Sequence, residues 1–545
     1  MMAQGRSGRW LSITSDEYLD RMKAGWTGQM VGVSWGAPTE FRYTGQIIPE
    51  NEVPAWRPEM VNSAFGQDDL YVEMTFLRTL ERHGMGVTIR QAGIDFANSR
   101  YALWHANRQG RENLRRGIAP PDSGHPAFNP HADDIDYQIE ADFSGLIAPG
   151  LPQVAIDLGE VFGRLMNYGD GFYGGQFVGG MYATAFFEKD PVKIVEAGLR
   201  CIPARSQYAE AIRDVLGWYR RYPQEWERTW ELVERKYNRS PEYRRFSCAQ
   251  GAFNIDAKLN GAYVAMGLLY GQGDIERTIT IAMRCGQDSD CNPSNAAGVL
   301  FTTIGFSRLP EQFTSHLDPR ATFAFEPCTF EQLIQVCLRL ARQAVVRYGG
   351  KVERERDGKE VWRIPAREPR ASALVQSWSP RQAQAVRYSP RDMARIRELP
   401  WAQALVKRFE AWAPGWTLHD CGEEMEPGWR EEWNGKRSVF VTHPLDRQTP
   451  CRITRRLQVP AQGKTHLLLT VGHHPDGDWT LVVRANGREL VSQHVGNDTA
   501  RSGWLDVSVD LSSLAGQEVQ LELLNEPSGW AWEAGYWARI EVTND

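Results

Sequence analysis

The sequence comprises 545 residues, of which 42% are hydrophobic and 24% are charged, and its formal net charge is -6. This composition is typical of a folded protein, and because no dense Lys/Arg block is present, we expect no nucleic-acid partner. The length exceeds that of a single hydrophobic core, so roughly two to four domains are predicted.

The amino terminus and the cysteines indicate where the protein functions. Met1–Arg6 lacks the apolar core of a signal peptide, and no apolar run is long enough to span a bilayer. We therefore expect a cytoplasmic protein without membrane contact, unless the sequence begins downstream of an export signal. The eight cysteines are scattered, which predicts neither a disulfide framework nor a zinc module.

Residues 1–349 are predicted to form a mostly helical domain. Apolar residues recur at helical spacing, and a Ser/Asp cap signal precedes the first helix. The predicted helices cover residues 16–24, 70–83, 154–166, 192–199, 208–219 and 330–346. Two small-residue stretches, 169–175 and 179–183, interrupt the pattern, and their glycines allow close helix packing or a close approach of backbone to a ligand.

The composition changes after Gly350. Residues 350–415 are rich in Arg, Pro and Ser with short amphipathic pieces such as 393–409, which predicts a connecting region packed on its neighbours. From about Trp416 the apolar period becomes two, as in 479–483, 504–509 and 519–523. Residues 416–545 are therefore predicted to form an all-β sandwich.

Two acidic pairs lie far apart in the helical part. Asp288 and Asp290 stand between Gly286 and a small-residue run, and Asp68-Asp69 lies upstream. Carboxylates held together at neutral pH repel each other, so such groups indicate a cation site. Hard oxygen ligands of this type suit Mg²⁺, Mn²⁺ or Ca²⁺ rather than Zn²⁺.

Further acids are candidates for acid/base chemistry. Glu40 follows the glycine-rich segment 28–36, and the segment 131–143 holds five acids interleaved with apolar residues. That interleaving favours acids lining a cleft, with a solvated loop as the alternative. The candidate acid/base residues are Glu40, Asp134, Asp136, Glu140 and Asp142, and the candidate substrate contacts are Gly171, Tyr173, Gly174 and Asn292.

Three segments together resemble the ADP-ribosylglycohydrolases. The family shows a glycine-rich first helix ending in Pro-x-Glu, a Thr-Asp-Asp segment, and a Gly-Gly-Asp-Thr-Asp-Thr segment before an Ala-rich helix. Residues 28–41, 68–69 and 286–298 resemble these in the same order, and the resemblance covers roughly residues 20–345. It implies an all-α orthogonal bundle that binds two divalent cations, usually Mg²⁺, and hydrolyses a glycosidic bond of a ribosyl unit.

Carried over residue by residue, the resemblance makes Asp68, Asp69, Asp288 and Asp290 metal ligands, with Glu40 beside them. The sequence departs from the family pattern at several positions. Gln67 replaces a Thr but still offers a carbonyl oxygen to a metal. Val33 replaces an Asp, and the segment 141–149 carries Asp142 and lacks the family's Arg. Cys291 replaces a metal-binding Thr; either it turns away from the metal, or the site is softer and accepts Mn²⁺ or Zn²⁺.

These departures leave three functions open. The leading prediction is a metal-dependent glycoside hydrolase acting on a ribosyl-like or other carbohydrate. The others are an ADP-ribosyl hydrolase acting on protein or small-molecule adducts, and a non-catalytic sugar-binding relative. The ending Gly529–Val542 resembles the galactose-binding-like jelly rolls attached to many glycoside hydrolases, which favours a carbohydrate partner. The sequence leaves the oligomeric state open.

Overall fold

The structure is a computed structural model, and it describes residues 9–249, 251–397, 400–530 and 532–544. The stretch Met1–Arg6, on which the localisation prediction depends, and Ala531 in the C-terminal segment lie outside the described residues. The chain forms two compact units, Met1–Ser99 with Leu103–Ile396, and Arg100–Ala102 with Arg397–Asp545.

The larger unit consists mainly of helices, several of which begin at residues whose side chains cap them. The side chain of Thr14 accepts from the N–H of Glu17, and Thr329 with Gln332 forms a capping box. Within the described residues, no helix combines the length and the apolar character needed to cross a membrane. The helices are α1 (Ser15–Gly36), α2 (Asp68–His83), α3 (Ile89–Ala97), α4 (His105–Arg115), α5 (Asp136–Ile139), α6 (Asp142–Leu146), α7 (Pro152–Val161), α8 (Asp170–Ala185), α9 (Pro191–Arg200), α10 (Gln207–Arg221), α11 (Trp226–Val233), α12 (Ala257–Gly271), α13 (Ile275–Arg284), α14 (Cys291–Ile304), α15 (Phe330–Arg347) and α16 (Pro390–Arg397).

The helices expected from periodicity are confirmed, although α1 continues to Gly36 beyond the predicted residues 16–24, α2 starts earlier than predicted, and α7 ends sooner. The predicted interruption at the two glycine stretches is wrong, because both lie within the single helix α8 except Gly169, which directly precedes it. A Cβ at Gly175 would lie 2.3 Å from the Tyr137 ring, and one at Gly179 would lie 2.3 Å from Ser144 Oγ. The glycines therefore let neighbouring segments pack closely on a continuous helix.

The larger unit also contains a small β-sheet, so the expectation of an all-α bundle is only partly correct. Strands β1 (Trp10–Thr14), β2 (Lys351–Arg354) and β3 (Glu360–Pro365) pair antiparallel in the order β1-β3-β2. Ile13 is opposite Trp362, and the fully buried Trp362 packs on Tyr18 of α1 with ring centroids 4.6 Å apart. The first strand is too short and too far from its partners in sequence for periodicity to reveal it.

The smaller unit is a β-sandwich with one helix, α17 (Pro400–Trp412). Its two antiparallel sheets have the orders β10-β9-β12-β7-β4 and β11-β8-β13-β6-β5. Trp479 and Trp537 are fully buried between the sheets, so the predicted jelly-roll sandwich is confirmed. The strands are β4 (Thr417–His419), β5 (Gly428–Trp433), β6 (Lys436–Thr442), β7 (Cys451–Gln458), β8 (Thr465–Gly472), β9 (Trp479–Ala485), β10 (Arg488–Val495), β11 (Trp504–Asp510), β12 (Glu518–Glu526) and β13 (Gly535–Asn544).

Candidate metal-binding active site

A stripe of glycines on α1 brings this helix against the backbone of α14. Gly28, Gly32 and Gly36 are four residues apart and share one helix face. A Cβ at Gly32 would lie 2.3 Å from the carbonyl oxygen of Pro293, and one at Gly36 would lie 2.2 Å from that of Ser289. The two helices can approach this closely only because these positions are glycine, and the approach brings the end of α1 to the acidic start of α14.

A left-handed turn directs the acidic loop that precedes α14. Gly286 and Gln287 have φ values of 79° and 58°. The Gln287 N–H donates to the carbonyl of Tyr43 at 2.8 Å, and its own carbonyl accepts from the Phe41 N–H at 3.1 Å. The Gln287 side chain accepts from the Asn254 N–H at 2.9 Å. These bonds hold the loop between two other segments and so fix where Asp288 and Asp290 point.

The structure brings the two predicted acidic pairs into one electrostatic group. Asp69, Asp288 and Asp290 are buried and Asp68 is half-buried at the start of α2. The Cys291 thiol donates to Asp69 Oδ2 at 3.2 Å and so connects α14 with α2. Possible ligand atoms of Asp288, Asp290 and Cys291 lie within 4.8 Å of one another. The first two residues of α2 and the loop that precedes α14 thus supply the acids.

Backbone N–H groups and the Cys291 thiol compensate the negative charge of this group only in part. Burial raises the pKa of Asp69 and of Asp288 well above the ordinary value, and neighbouring acids raise both further. The Oδ1 atoms of Asp69, Asp288 and Asp290 have no hydrogen-bond partner within the described protein. No Lys or Arg in the described part of the chain forms an ion pair with these acids. Buried charge without a partner is costly, and a cation would compensate it.

Glu40 lies at the exposed edge of the acidic group. It follows the 3-10 turn Ala37–Thr39 that extends α1, and its side chain is exposed. Thr39 Oγ1 and Ser289 Oγ lie 2.8 Å apart, so the turn is tied to the acidic loop. Partial desolvation, then Asp290 and Asp68, raise the pKa of Glu40 to about 8. Burial and Asp290 raise the pKa of Asp68 to about 6.

Gln67 directly precedes α2. Its backbone carbonyl accepts from the N–H groups of Leu70 and Tyr71, both at 3.1 Å, and its side chain makes no capping bond to the helix. The amide is half-buried, so its predicted use as a metal ligand stays a prediction.

The acids of segment 131–143 are buried, which excludes the solvated-loop alternative. Asp136 Oδ1 accepts from the Asn107 N–H at 2.9 Å, and the Asn107 side chain donates to Glu140. Burial, then Asp134, raise the pKa of Asp136 to about 8. Asp142 accepts from Asn295 Nδ2 of α14 at 3.1 Å. These candidate acid/base residues lie inside the helical unit, and their predicted catalytic roles stay predictions.

Asp134 is grouped with residues that sequence reasoning did not select. Its Oδ2 lies 2.9 Å from His131 Nδ1 and 3.5 Å from His105 Nδ1, and the Cys248 thiol donates to it at 3.0 Å. His105 and Cys248 are 143 positions apart in sequence (248 minus 105), so no short motif could have revealed the group.

Glu73 is a further buried acid that the sequence prediction missed. It accepts from Gln29 Nε2 at 2.5 Å and from the Phe143 N–H at 2.6 Å. Burial and Asp142 raise the pKa of Glu73 well above its ordinary value. Its position four residues after Asp69, on the same face of α2, is the signal that could have identified it.

The predicted substrate contacts are buried and engaged in packing. A Cβ at Gly171 would lie 2.2 Å from the carbonyl oxygen of Ala132, and one at Gly174 would lie 2.6 Å from Gln138 Oε1. The Tyr173 hydroxyl donates to the Ala373 carbonyl and accepts from the Val375 N–H, both at 2.8 Å. Asn292 Nδ2 donates to Asn260 Oδ1 at 2.9 Å. Their predicted role in binding substrate stays a prediction.

A polar cavity of about 580 Å³ lies beside the segment that holds Gln287. Gly45, Glu234, Arg239 and Ala252 contribute to its lining, and the Ala252 carbonyl accepts from Gln287 Nε2 at 2.7 Å. The cavity therefore adjoins the support of the acidic loop.

Comparison with known proteins gives a match to one family model, described as ADP-ribosylglycohydrolase, over residues 14–349. That is more than half of the chain. No curated protein matches the sequence. A solved structure described as an ADP-ribosylglycohydrolase-related protein complex is 16% identical, covers 60% of this chain and 99% of its own, and has a TM-score of 0.41.

Two further solved structures match part of this chain. The CBM22-1 xylan-binding domain from Paenibacillus barcinonensis Xyn10C is 14% identical and covers 24% of this chain and 86% of its own, with a TM-score of 0.18. CBM35 from Paenibacillus barcinonensis is 15% identical and covers 24% of this chain and 94% of its own, also with a TM-score of 0.18.

Proposed function

The chain belongs to the ADP-ribosylglycohydrolase family of hydrolases, and from this membership we propose that it is a divalent-metal-dependent glycoside hydrolase. Its proposed substrate is a ribosyl-like or other carbohydrate with a glycosidic bond to cleave. The observation that carries the proposal is the group of Asp68, Asp69, Asp288 and Asp290, whose charge no Lys or Arg in the described residues compensates. Such a group is costly unless cations bind it.

The donor chemistry fits two hard cations, with Mg²⁺ first and Mn²⁺ or Ca²⁺ as alternatives. The four carboxylates and the Gln67 amide carbonyl offer only oxygen, which these ions prefer. Cys291 stands where the family has a hydroxyl, but its thiol donates to Asp69. The sulfur is therefore engaged as a hydrogen-bond donor, and its presence leaves the oxygen ligands intact.

Glycoside cleavage requires an oriented sugar, an activated nucleophile and protonation of the leaving oxygen. Bound cations supply orientation of a sugar diol and a lowered pKa for water. Glu40 is the exposed acid at the edge of the acidic group, so it is open to a substrate arriving from solvent. We assign acid/base work to Glu40 together with one of Asp134, Asp136, Glu140 and Asp142.

A second candidate function is the removal of ADP-ribose from protein or small-molecule adducts. Family membership favours it, and so does the cavity beside the Gln287 segment, whose lining includes the exposed Arg239, since arginine suits phosphate groups. Against it, Asp142 occupies the segment where the family has an Arg, and Asp142 is buried against Asn295. A neutral glycone is more compatible with that added negative charge.

The test is a hydrolysis and thermal-shift panel on the full chain with Mg²⁺, Mn²⁺, Ca²⁺ or EDTA. The substrates are neutral mono- and oligosaccharide glycosides, ADP-ribose and an ADP-ribosylated protein. Asp288→Asn/Asp290→Asn is the matched variant, because it keeps side-chain shape and removes charge. Metal-dependent cleavage of a neutral glycoside supports the proposal, and cleavage of ADP-ribosyl adducts alone supports the second candidate. If neither occurs and no metal stabilises the chain, the non-catalytic sugar-binding alternative replaces both.

We also propose that the sandwich binds carbohydrate through exposed aromatic rings. Trp532 is 48% exposed and stacks on His474 with ring centroids 4.4 Å apart. Trp433 is half-buried and stacks on the buried Tyr536, so Trp532 is the ring of the two pairs that is open to a sugar, and flat aromatic faces suit sugar rings. Trp532→Ala should weaken retention on immobilised oligosaccharides, while Trp429→Ala, at a residue 50% exposed on strand β5, should not. Equal retention of both variants would contradict this role.

A further inference from the structure

Two histidines, a cysteine and an aspartate converge beside the first turn of α4, apart from the carboxylates assigned to Mg²⁺. His105 is the first residue of α4, His131 and Asp134 precede α5, and Cys248 lies in the segment before α12. One possible ligand atom from each of the four lies within 4.8 Å of the other three. The histidine rings lie edge to face with centroids 5.2 Å apart.

We propose that His105, His131, Asp134 and Cys248 bind one zinc ion. Zinc bonds of about 2.0–2.2 Å to nitrogen and oxygen and about 2.3 Å to sulfur imply tetrahedral ligand–ligand separations of roughly 3.3–3.6 Å. The two His Nδ1 atoms lie 2.9 and 3.5 Å from Asp134 Oδ2, and the Cys248 sulfur lies 3.0 Å from it. The 3.5 Å separation lies within this range, and the 2.9 and 3.0 Å separations are those of contacts to Asp134 that a zinc ion would replace. All four donor atoms lie within 4.8 Å of one another, so one ion can contact them all.

The donor set distinguishes this site from the carboxylate group. Imidazole and thiolate ligands select zinc over Mg²⁺ and Ca²⁺, which prefer oxygen. His105 Nδ1 is buried and has no hydrogen-bond partner within the described protein. The His105 and His131 side chains are 30% and 29% exposed while that of Asp134 is 1% exposed, so an ion can enter from the histidine side.

The backbone around the ligands is fixed by hydrogen bonds. The Asp134 carbonyl accepts from Asn167 Nδ2 at 2.8 Å, and the His131 N–H donates to Asn129 Oδ1 at 3.0 Å. Arg244 Nη2 donates to the Ala249 carbonyl at 3.0 Å, next to Cys248. Such support holds ligands in place before the metal binds, which raises metal affinity.

A four-ligand set without an open position is typical of structural zinc. The proposed zinc connects α4 and the loop at His131 with the segment that continues from Cys248 to Asn254. The Ala252 carbonyl and the Asn254 N–H are bonded to Gln287, which directs the acidic loop. Zinc would therefore stabilise the support of the carboxylate group rather than take part in the reaction. Asp134 would then be a zinc ligand, which leaves Asp136, Glu140 and Asp142 as the acid/base partners of Glu40.

The test measures zinc binding by the EDTA-stripped, dialysed full chain in competition with a chromophoric chelator. Co²⁺ replaces Zn²⁺ in a parallel titration, because a thiolate ligand gives cobalt a charge-transfer absorption. The variants are Cys248→Ser and His131→Ala, and the controls are Cys421→Ser, a half-buried cysteine of the other unit, and Asp288→Asn/Asp290→Asn. Circular dichroism checks that each variant folds.

We expect one zinc ion per wild-type chain and per chain of both controls. Cys248→Ser should abolish the cobalt–thiolate absorption. It should also weaken zinc binding by more than the roughly 10–100-fold that loss of a supporting residue costs. If Cys248→Ser does not fold, the number of zinc ions bound per chain of His131→Ala provides the test. The proposal is overturned if the wild type binds no zinc, or if the folded variants retain the ion. We expect the Asp288→Asn/Asp290→Asn variant to keep its zinc, because these residues are not zinc ligands. The zinc test therefore does not depend on hydrolase activity, and the two proposals can fail separately.

Discussion

Replacing Gly32 with alanine tests whether the glycine stripe of α1 positions the acids of α14. The added Cβ would lie 2.3 Å from the Pro293 carbonyl oxygen and 2.5 Å from Ser294 Cα. Ordinary contacts are about 3.5–4.0 Å, so the helices must separate by roughly 1 Å. Overpacking of this kind costs about 1–3 kcal/mol, and the better helix preference of alanine offsets about 1 kcal/mol of it. We expect the free energy of unfolding to fall by about 2 kcal/mol, which is the upper end of this range. The upper end applies because the atoms that the Cβ meets belong to the backbone and cannot rotate away.

The assay is urea unfolding of Gly32→Ala and of Gly217→Ala, each with and without Mg²⁺. A Cβ at Gly217 of α10 would meet nothing within 4 Å, so this control should gain about 0.5–1 kcal/mol. Displacement of α14 should also reduce the Mg²⁺-dependent stabilisation of Gly32→Ala, because Asp290 precedes that helix directly. If Gly32→Ala is as stable as Gly217→Ala and keeps its Mg²⁺ response, the glycine stripe does not set the helix distance.

Three further predictions concern two sets of acids and the neighbouring Cys291. Asp288→Asn/Asp290→Asn should raise the melting temperature of the metal-free protein, because charge repulsion is removed. The variant should also lose the rise in melting temperature that Mg²⁺ causes in the wild type. If Mg²⁺ still raises it, Asp288 and Asp290 are not metal ligands. Burial raises the pKa of Asp136 to about 8. Between about pH 4 and about pH 8 the folded state therefore holds a proton that the unfolded state has lost, so the stability of the metal-free protein should fall as the pH rises through this range. In urea unfolding with EDTA, Asp136→Asn should reduce the change of the unfolding free energy with pH. An unchanged pH dependence would contradict the raised pKa of Asp136. Cys291→Thr should tighten Mg²⁺ binding by a few-fold in calorimetry, since a hydroxyl oxygen is the harder ligand, whereas Cys285→Ser should leave it unchanged.

The amphipathic helices could be predicted because each shows one polar and one apolar face. Tyr208–Tyr219 and Phe330–Val346 are recognisable within α10 and α15 for this reason. Helix α8 is buried on nearly every side, so its apolar residues show no helical period. Its glycines therefore resembled breaks in the sequence, although they mark where neighbouring segments pack most closely.

The carboxylate group could be predicted because its members occur as pairs in short segments. Asp68-Asp69 and Asp288-Ser289-Asp290 stand out without knowledge of the fold. The group of His105, His131 and Cys248 could not, because its residues are distant in sequence and only folding brings them to Asp134. The absence of paired cysteine spacings excluded a zinc-finger module, and the structure shows that this does not exclude a mixed-ligand group.

Repulsion between buried acids extends beyond the two candidate metal sites. Burial raises the pKa of Asp69, Glu140 and Asp136 most, and neighbouring acids raise each further, Asp68 for Asp69, Asp136 for Glu140 and Asp134 for Asp136. Neighbouring buried carboxylates cannot all be ionised without cations, so each must bind a proton or face a positive charge. The group at Asp69 offers oxygen donors, and the group at Asp134 adds nitrogen and sulfur donors. Two ions of different chemistry, one at each group, would therefore reduce the repulsion between these buried acids.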